Sequence, residues 1–269
     1  MSYTEMTTGC QCSDYRSQKP NAILFNILSQ TQRPSLNYSS APPHSCHCQM
    51  LRTVRLTTPG DTCPVASGVL VKTVRFMQSL LSFRQLPARD QLALLRGCWA
   101  PVFLLGLAQE GVDFQVTDAP AASMLKRILL EGQEPRGPEG AESERAESDR
   151  ARPTLAAMQK LKSCLHKFWS LDLTPKEYAY LKGAVLFDPD VPQLKSAAFI
   201  EGLQREAERA LREVLTPLHP QDKGRFSRIL LTASTLKSIN PNFVIELFFR
   251  PVIGPADLFE LLVEMLFSC

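Results

Sequence analysis

Between Leu92 and Leu107 the chain places Leu92, Leu94, Leu95, Trp99, Phe103, Leu104 and Leu107 at helical spacings, and the centre of the stretch is apolar on nearly every face. A helix of that kind has no side to turn to water, so it has to run through the interior of a domain with other elements around it. It is expected to extend from near Pro87 to Gln109. Pro101 lacks an N–H and crowds the preceding turn, so it is expected to bend or divide the helix there. A length of 269 residues with 44% apolar composition is enough to build an enclosing body.

The chain on both sides of this stretch is also helical in pattern. Val69, Val74, Phe76, Met77 and Leu80 recur mostly at helical spacings from about residue 66. Further helices are expected over residues 121–130, 154–169, 175–186, 194–215, 224–239, 243–249 and 255–266. Thr174 before Pro175, with Glu177 three residues beyond the Thr, is a start signal that combines a cap, a first-turn proline and a capping box. Phe114-Gln-Val116 alternates and is a candidate short strand. There is no βαβ alternation and no internal repeat. The fold class is therefore all-α, a layered helical sandwich around one buried central helix. Residues 66–269 form this domain. Residues 1–65, with Pro20, Pro34, Pro42, Pro43, Pro59 and Pro64 and few apolar runs, are expected to be mostly disordered N-terminal tail. The tail contains one short amphipathic helix, Asn21–Ser29. Residues 131–152 hold seven acidic and four basic side chains and almost nothing apolar, and are expected to form a disordered charged loop.

Composition excludes several function classes. Thirty Lys and Arg against 27 Asp and Glu give a formal +3, which is not the charge of a chain that grips nucleic acid by neutralising phosphates. Eight irregularly spaced cysteines do not make a secreted disulfide scaffold. No uninterrupted apolar run approaches the ~20 residues of a membrane span, and the first residues carry no secretory pattern. The expectation is an intracellular protein without a membrane anchor. No Gly-x-Ser-x-Gly, phosphate-cradling glycine loop or His-Glu-x-x-His is present, and the four histidines pair with no acid or nucleophile at a readable spacing. An enzyme is not expected, nor a cofactor. His44, Cys46, His47 and Cys48 have the chemistry of a loose zinc site but read as tail, so no metal is expected either. Cys98 and Cys164 read as small hydrophobes on apolar helix faces.

Two segments spell Leu-x-x-Ile-Leu: Leu24, Ile27 and Leu28, and Leu125, Ile128 and Leu129. Positions i, i+3 and i+4 share one helix face, so each segment presents three aliphatic knobs of the kind that fill a groove on a partner. Burying three such side chains gives roughly 5–9 kcal/mol gross. Ordering and association costs reduce this to weak, exchangeable binding on the order of micromolar. The alternative for each segment is packing on the chain's own core. The balance favours presentation for Leu24–Leu28 and core packing for Leu125–Leu129. Leu258, Leu261 and Leu262 repeat the spelling but overlap the last helix.

Phe83-Arg-Gln-Leu86-Pro-Ala-Arg-Asp90-Gln91, followed by Leu94-Leu95, resembles the signature of nuclear receptor ligand-binding domains. Leu186-Phe187-Asp-Pro189-Asp190 resembles that family's mid-domain helix exit. Gly224 to Phe249 resembles its long dimer helix, which allows a homodimer, and Leu261-Leu262-Val-Glu264-Met265-Leu266 resembles its terminal activation helix. The resemblance covers residues 66 to 267. It implies a coregulator groove in which a lysine and an acid clamp the two ends of a bound helix. Here Glu264, with Met265 beside it, holds the acid's place and Gln78 the lysine's, leaving half the clamp neutral; Arg96 on the next helix is a partial substitute. In many members an arginine anchors an acidic or phenolic ligand; its place falls on Glu110, and Phe103, Leu104 and Leu107 could fill the cavity. A lipophilic ligand is therefore doubtful and a collapsed or very small pocket is expected. Only Cys10, Cys12, Cys46, Cys48 and Cys63 precede the helical domain, too few for the family's two zinc modules, so direct DNA binding is not expected. The function the resemblance implies is a transcriptional co-regulator, most plainly a corepressor. Such a protein would bind other nuclear receptors through its Leu-x-x-Ile-Leu helices, exclude coactivators and recruit repressive partners. Its place would be the nucleus, with the cytoplasm as a second location. The alternative is a ligand-sensing receptor that responds to a lipophilic small molecule.

Overall fold

A computed structural model describes residues 52–120 and 154–268. The amphipathic helix at 21–29, both Leu-x-x-Ile-Leu segments, the helix expected at 121–130, the charged loop and the His44–Cys48 cluster lie outside the described residues.

The helix expected at the centre is α3, Ala88–Gln109, and every residue from Cys98 to Ala108 is buried. By length and hydropathy alone α3 could cross a membrane, but most of its apolar surface is covered by the rest of this body. Pro101 does not divide it: the helix continues through the proline to Gln109. Enclosure on all sides compensates for the backbone bond the proline removes. On α3 pack α1 (Pro59–Ser79), α4 (Leu155–Leu171) and α5 (Pro175–Leu186), and α6 (Ala197–Leu218) covers α5 in turn. This is the all-α layered sandwich expected from the periodicity. Gly106 lets α1 approach closely, since a Cβ there would stand 2.6 Å from Val69 Cγ1.

Residues placed with the tail carry structure from Arg52 onward, and α1 begins at Pro59, seven positions before the expected start at 66. Strand β1, Arg52–Leu56, pairs antiparallel with β2, Val116–Pro120, with Leu56 opposite Val116. The expected strand at 114–116 is thus displaced toward the C-terminus, and its partner was not anticipated. Val54 and Leu56 are buried with Arg55 exposed between them, an alternation too short to read without its partner strand.

The start of α5 follows the sequence signal in detail. Thr174 Oγ1 accepts from Glu177 N at 3.3 Å, and Glu177 Oε2 accepts from Thr174 N at 2.6 Å. Glu177 is fully buried and faces Arg225 at 3.5 Å, which ties α5 to the first turn of α7 (Arg225–Ser234). The long helix that the resemblance implied over 224–249 is interrupted, between the two stretches expected at 224–239 and 243–249. A 3-10 turn, Thr235–Ser238, follows α7; Ile239 and Asn240 are extended; and α8, Pro241–Val244, starts anew. Pro241 explains the break, because it excludes the helical conformation at the residue before it. A π-helical turn, Ile245–Phe249, and α9, Arg250–Ile253, lead through Gly254 to α10, Leu258–Phe267.

Asp90, in the first turn of α3, is fully buried and unites distant chain segments. Its two carboxylate oxygens accept from Lys195 N and Ser196 N, each at 2.9 Å, at the entry to α6. Burial pushes the carboxyl up, but these hydrogen bonds and the Lys195 charge outweigh it, and the group titrates below its ordinary value of 3.8. Asp90→Ala leaves both N–H groups without their acceptor and is expected to cost about 2–3 kcal/mol in urea unfolding. A lowered native pKa means that the carboxylate's contribution is complete above the ordinary value and is lost as pH falls through the lowered one. The difference between wild type and Asp90→Ala should therefore shrink in unfolding curves measured as pH falls below 3.8.

Candidate functional site

The last turn of α1 and the outer face of α3 meet around the short helix α2, Leu81–Arg84. Gln91 fastens this corner by donating from Nε2 to Leu86 O at 2.8 Å and Arg84 O at 3.3 Å. On the surface so formed lies α10, packed on α1 and α3. Leu258, Leu262 and Leu266, spaced by four, turn inward and are buried. Glu260 and Glu264 turn outward.

Gln78, half-buried in the last turn of α1, closes one end of this arrangement. Its Nε2 donates to Met265 O at 2.9 Å and Leu266 O at 3.1 Å. The last carbonyls of a helix have no partner within the helix, so the amide supplies what α10 itself cannot. At the other end the Arg96 guanidinium lies over the Phe259 ring, 3.9 Å from its centroid. Asp257 begins α10, its side chain accepting from Phe259 N at 2.8 Å. Burial of three leucines contributes roughly 5–9 kcal/mol gross. The two neutral hydrogen bonds add about 1–3 kcal/mol together, and the Arg96 contact about 0.5–1 kcal/mol at so exposed a site. The leucines hold the helix down, while Gln78 and Arg96 set its register.

The expected groove residues are thus brought together, in different roles. Gln78 caps the chain's own α10, and Glu264 sits on the exposed face of that helix. Met265 contributes its carbonyl. Arg96 engages an aromatic ring instead of replacing a lysine. Phe259 was not anticipated, although it lies three residues before Leu262 and so on a neighbouring helical row. Nor was Arg250, which donates from Nε to Glu246 Oε1 at 2.9 Å and from Nη1 to the carbonyls of Gly254 and Ala256, bracing the turn into α10. Gly254 has φ +60 and ψ −135, a conformation suited only to glycine.

The interior is packed with rings. Phe103 meets Phe249 at 5.3 Å and Phe248 at 6.0 Å between centroids, Trp99 meets Phe103 at 6.2 Å, and Phe114 meets Phe248 edge-on at 5.1 Å. Phe103, Leu104 and Leu107 are fully buried. Glu110 departs from its expected place. It is the C-cap of α3 and pairs with Lys72 at 2.8 Å on the surface, so it faces no internal ligand. Cys98 is buried, and burial together with the Asp188 charge pushes its thiol up to about 12, the behaviour of a small hydrophobe. Cys164 is likewise buried and its thiol pushed up by burial.

Leu262→Ala is expected to loosen α10 selectively. Losing most of one buried leucine should raise amide exchange across residues 258–267 by roughly ten- to a hundredfold. Glu264→Ala, on the outward face, should leave the exchange of the same amides unchanged.

Residues 47–253 match the ligand-binding domain of nuclear hormone receptor. Nuclear receptor subfamily 0 group B member 2 of Homo sapiens, the small heterodimer partner, is 49% identical over 263 residues, 98% of both chains. The Rattus norvegicus protein of the same name is 51% identical over 258 residues, 96% of both. Nuclear receptor subfamily 0 group B member 1 of Homo sapiens is 36% identical over 267 residues, which span 96% of this chain and 57% of that protein. The signature around Phe83–Leu95, the buried helix it opens and the terminal helix laid across α1 and α3 thus agree with these matches: the chain belongs to the nuclear hormone receptor ligand-binding-domain family.

Proposed function

We propose that this protein is a transcriptional corepressor that acts on other nuclear receptors without touching DNA. The observation that carries the reading is its similarity, along nearly the whole length of both chains, to subfamily 0 group B member 2. Its two Leu-x-x-Ile-Leu segments give that reading a physical means. Leu24, Ile27 and Leu28, or Leu125, Ile128 and Leu129, enter the groove of a DNA-bound receptor and displace the coactivator helix that would otherwise fill it. The body of the domain then brings repressive partners to the promoter. The protein works in the nucleus. Two features of the domain support a repressive sign. Its own groove is covered by α10, so it offers coactivators no ready site, and the packed rings around Phe103 leave little room for an activating lipophilic ligand.

Changing Ile27 and Leu28 together to Ala is expected to abolish capture by isolated receptor ligand-binding domains while the thermal melt stays that of the wild type. A peptide covering residues 20–31 should compete for capture of the wild-type chain. Capture undiminished by either would move the contact to Leu125–Leu129 or to the α7 face.

A further inference from the structure

Where α6 ends and α7 begins, the chain turns through residues 219–224 and leaves a cleft of about 330 Å³. The first turn of α7 forms one of its walls, and no side chain caps that turn. Arg225 N donates to Asp222 O at 3.2 Å, and the helical ladder starts with Arg228 N donating to Gly224 O at 3.0 Å. Between them the N–H groups of Phe226 and Ser227 have no acceptor among the described residues. They stand at the positive end of the helix dipole. Three cations line the same cleft. The Arg212 guanidinium, on α6, lies over the Phe226 ring, 4.3 Å from its centroid, and Lys223 stands in the turn. Arg225 lines the cleft from inside and is only 8% exposed. Its Nη2 makes two long contacts, to Asp172 O at 3.3 Å and Glu177 Oε1 at 3.5 Å, and its Nε is buried without a partner. A buried guanidinium with an unused donor is uncommon, because the lost hydration is then not repaid. The acid that lines the cleft, Asp222, is already paired with Arg228.

We propose that the cleft between α6 and α7 binds a phosphate monoester of a small molecule. The phosphate seats on the Phe226 and Ser227 N–H groups, as anions do at an uncapped helix start, with Arg212 and Lys223 closing on it from the sides. Arg225 adds positive charge and spare donor capacity from within. The apolar part of the lining, Leu215, Pro220 and Phe226, receives the organic part of the ester, which separates such a ligand from free phosphate. Size sets the class. A cleft of about 330 Å³ lies at the small end of ligand sites, with room for one phosphate and a single ring or short chain, and not for a length of peptide. Arg225 also faces Glu177 on α5, so the site sits on the contact that ties α5 to α7. The residues involved belong to α6, α7 and the turn between them, and the proposal stands or falls independently of receptor binding by the Leu-x-x-Ile-Leu segments.

The test is titration of the nitrogen-15-labelled full-length chain with phenyl phosphate, followed through its amide resonances. The Phe226 and Ser227 amides and those of residues 219–223 shift together and saturate, with a Kd of about 1 mM or tighter. Inorganic phosphate moves the same amides but binds at least about threefold more weakly, since it leaves the apolar lining unused. Arg212→Ala and Lys223→Ala each weaken phenyl phosphate by about three- to tenfold. Arg209→Ala, which removes an exposed cation paired with Glu213 on the same helix, leaves the affinity unchanged. Ser227→Asp places an acid at the start of α7, which favours the helix and repels the anion, so binding is lost while the thermal melt does not fall. Failure to saturate, or shifts centred outside residues 212–228, would overturn the site. Arg209→Ala weakening binding as much as Arg212→Ala reduces it to attraction by surface charge and also overturns it. Equal affinity for inorganic phosphate overturns the assignment to an ester, and full binding by Ser227→Asp overturns the seat on α7.

Discussion

Enclosure of α3 is the constraint on which the rest of this structure depends. From Cys98 to Ala108 the helix has no solvent face, so α1, α4 and α5 have to be present before it is stable, and each buries its own apolar stripe in the process. Polar contacts then fix what apolar packing leaves free. Asp90 at one end binds the backbone entering α6, and at the other end Trp169 Nε1 donates to Ala108 O at 3.0 Å, drawing α4 against the helix terminus. Hydrophobic burial is non-directional; these few directed bonds decide how the layers register.

The groove is a consequence of the same packing. Where α1 ends and α3 begins, the body leaves an apolar strip that no internal layer covers, and α10 lies along it. A bare strip of this kind is a liability in water and an opportunity for a partner. Covering it with the chain's own last helix removes the liability. Neutral capping by Gln78 fits that arrangement. A lysine there would bind helix carbonyls more strongly through its charge, whereas an amide contributes less and leaves the leucines in control of the docking free energy.

Much of the architecture was legible from local rules. The capping box at Thr174 and Glu177, the extent of the central helix and the buried state of Phe103, Leu104 and Leu107 all follow from spacing and residue type. Failures came where a residue's conformation depends on a distant partner. β1 escaped notice because five residues cannot declare a strand without β2 beside them. Pro101 was expected to bend or divide a helix that continues through it, while Pro241 interrupts the long helix that the family resemblance implied over 224–249, in the gap between the two stretches the apolar pattern gave. The resemblance put Glu110 at the place of a ligand-anchoring arginine, yet two residues past the buried stretch the helix has reached the surface, where Lys72 meets it. At the groove, residue types announced a helix-binding site with a neutral cap, and the identity of the helix it holds was hidden, since the contact joins Gln78 to carbonyls nearly 190 positions away.

Sequence alone determined the class of fold, the central helix and the family, because hydrophobic period and cap chemistry act within a few residues and survive without knowledge of the rest of the chain. Tertiary structure decided which surface each charged or polar side chain serves. Gln78 became a cap for the chain's own last helix, Arg96 a seat for Phe259 and Glu264 an outward-facing acid, and none of these roles is encoded in the residue itself. Each arises only when packing brings together groups far apart in the chain, and packing is a property of the whole body.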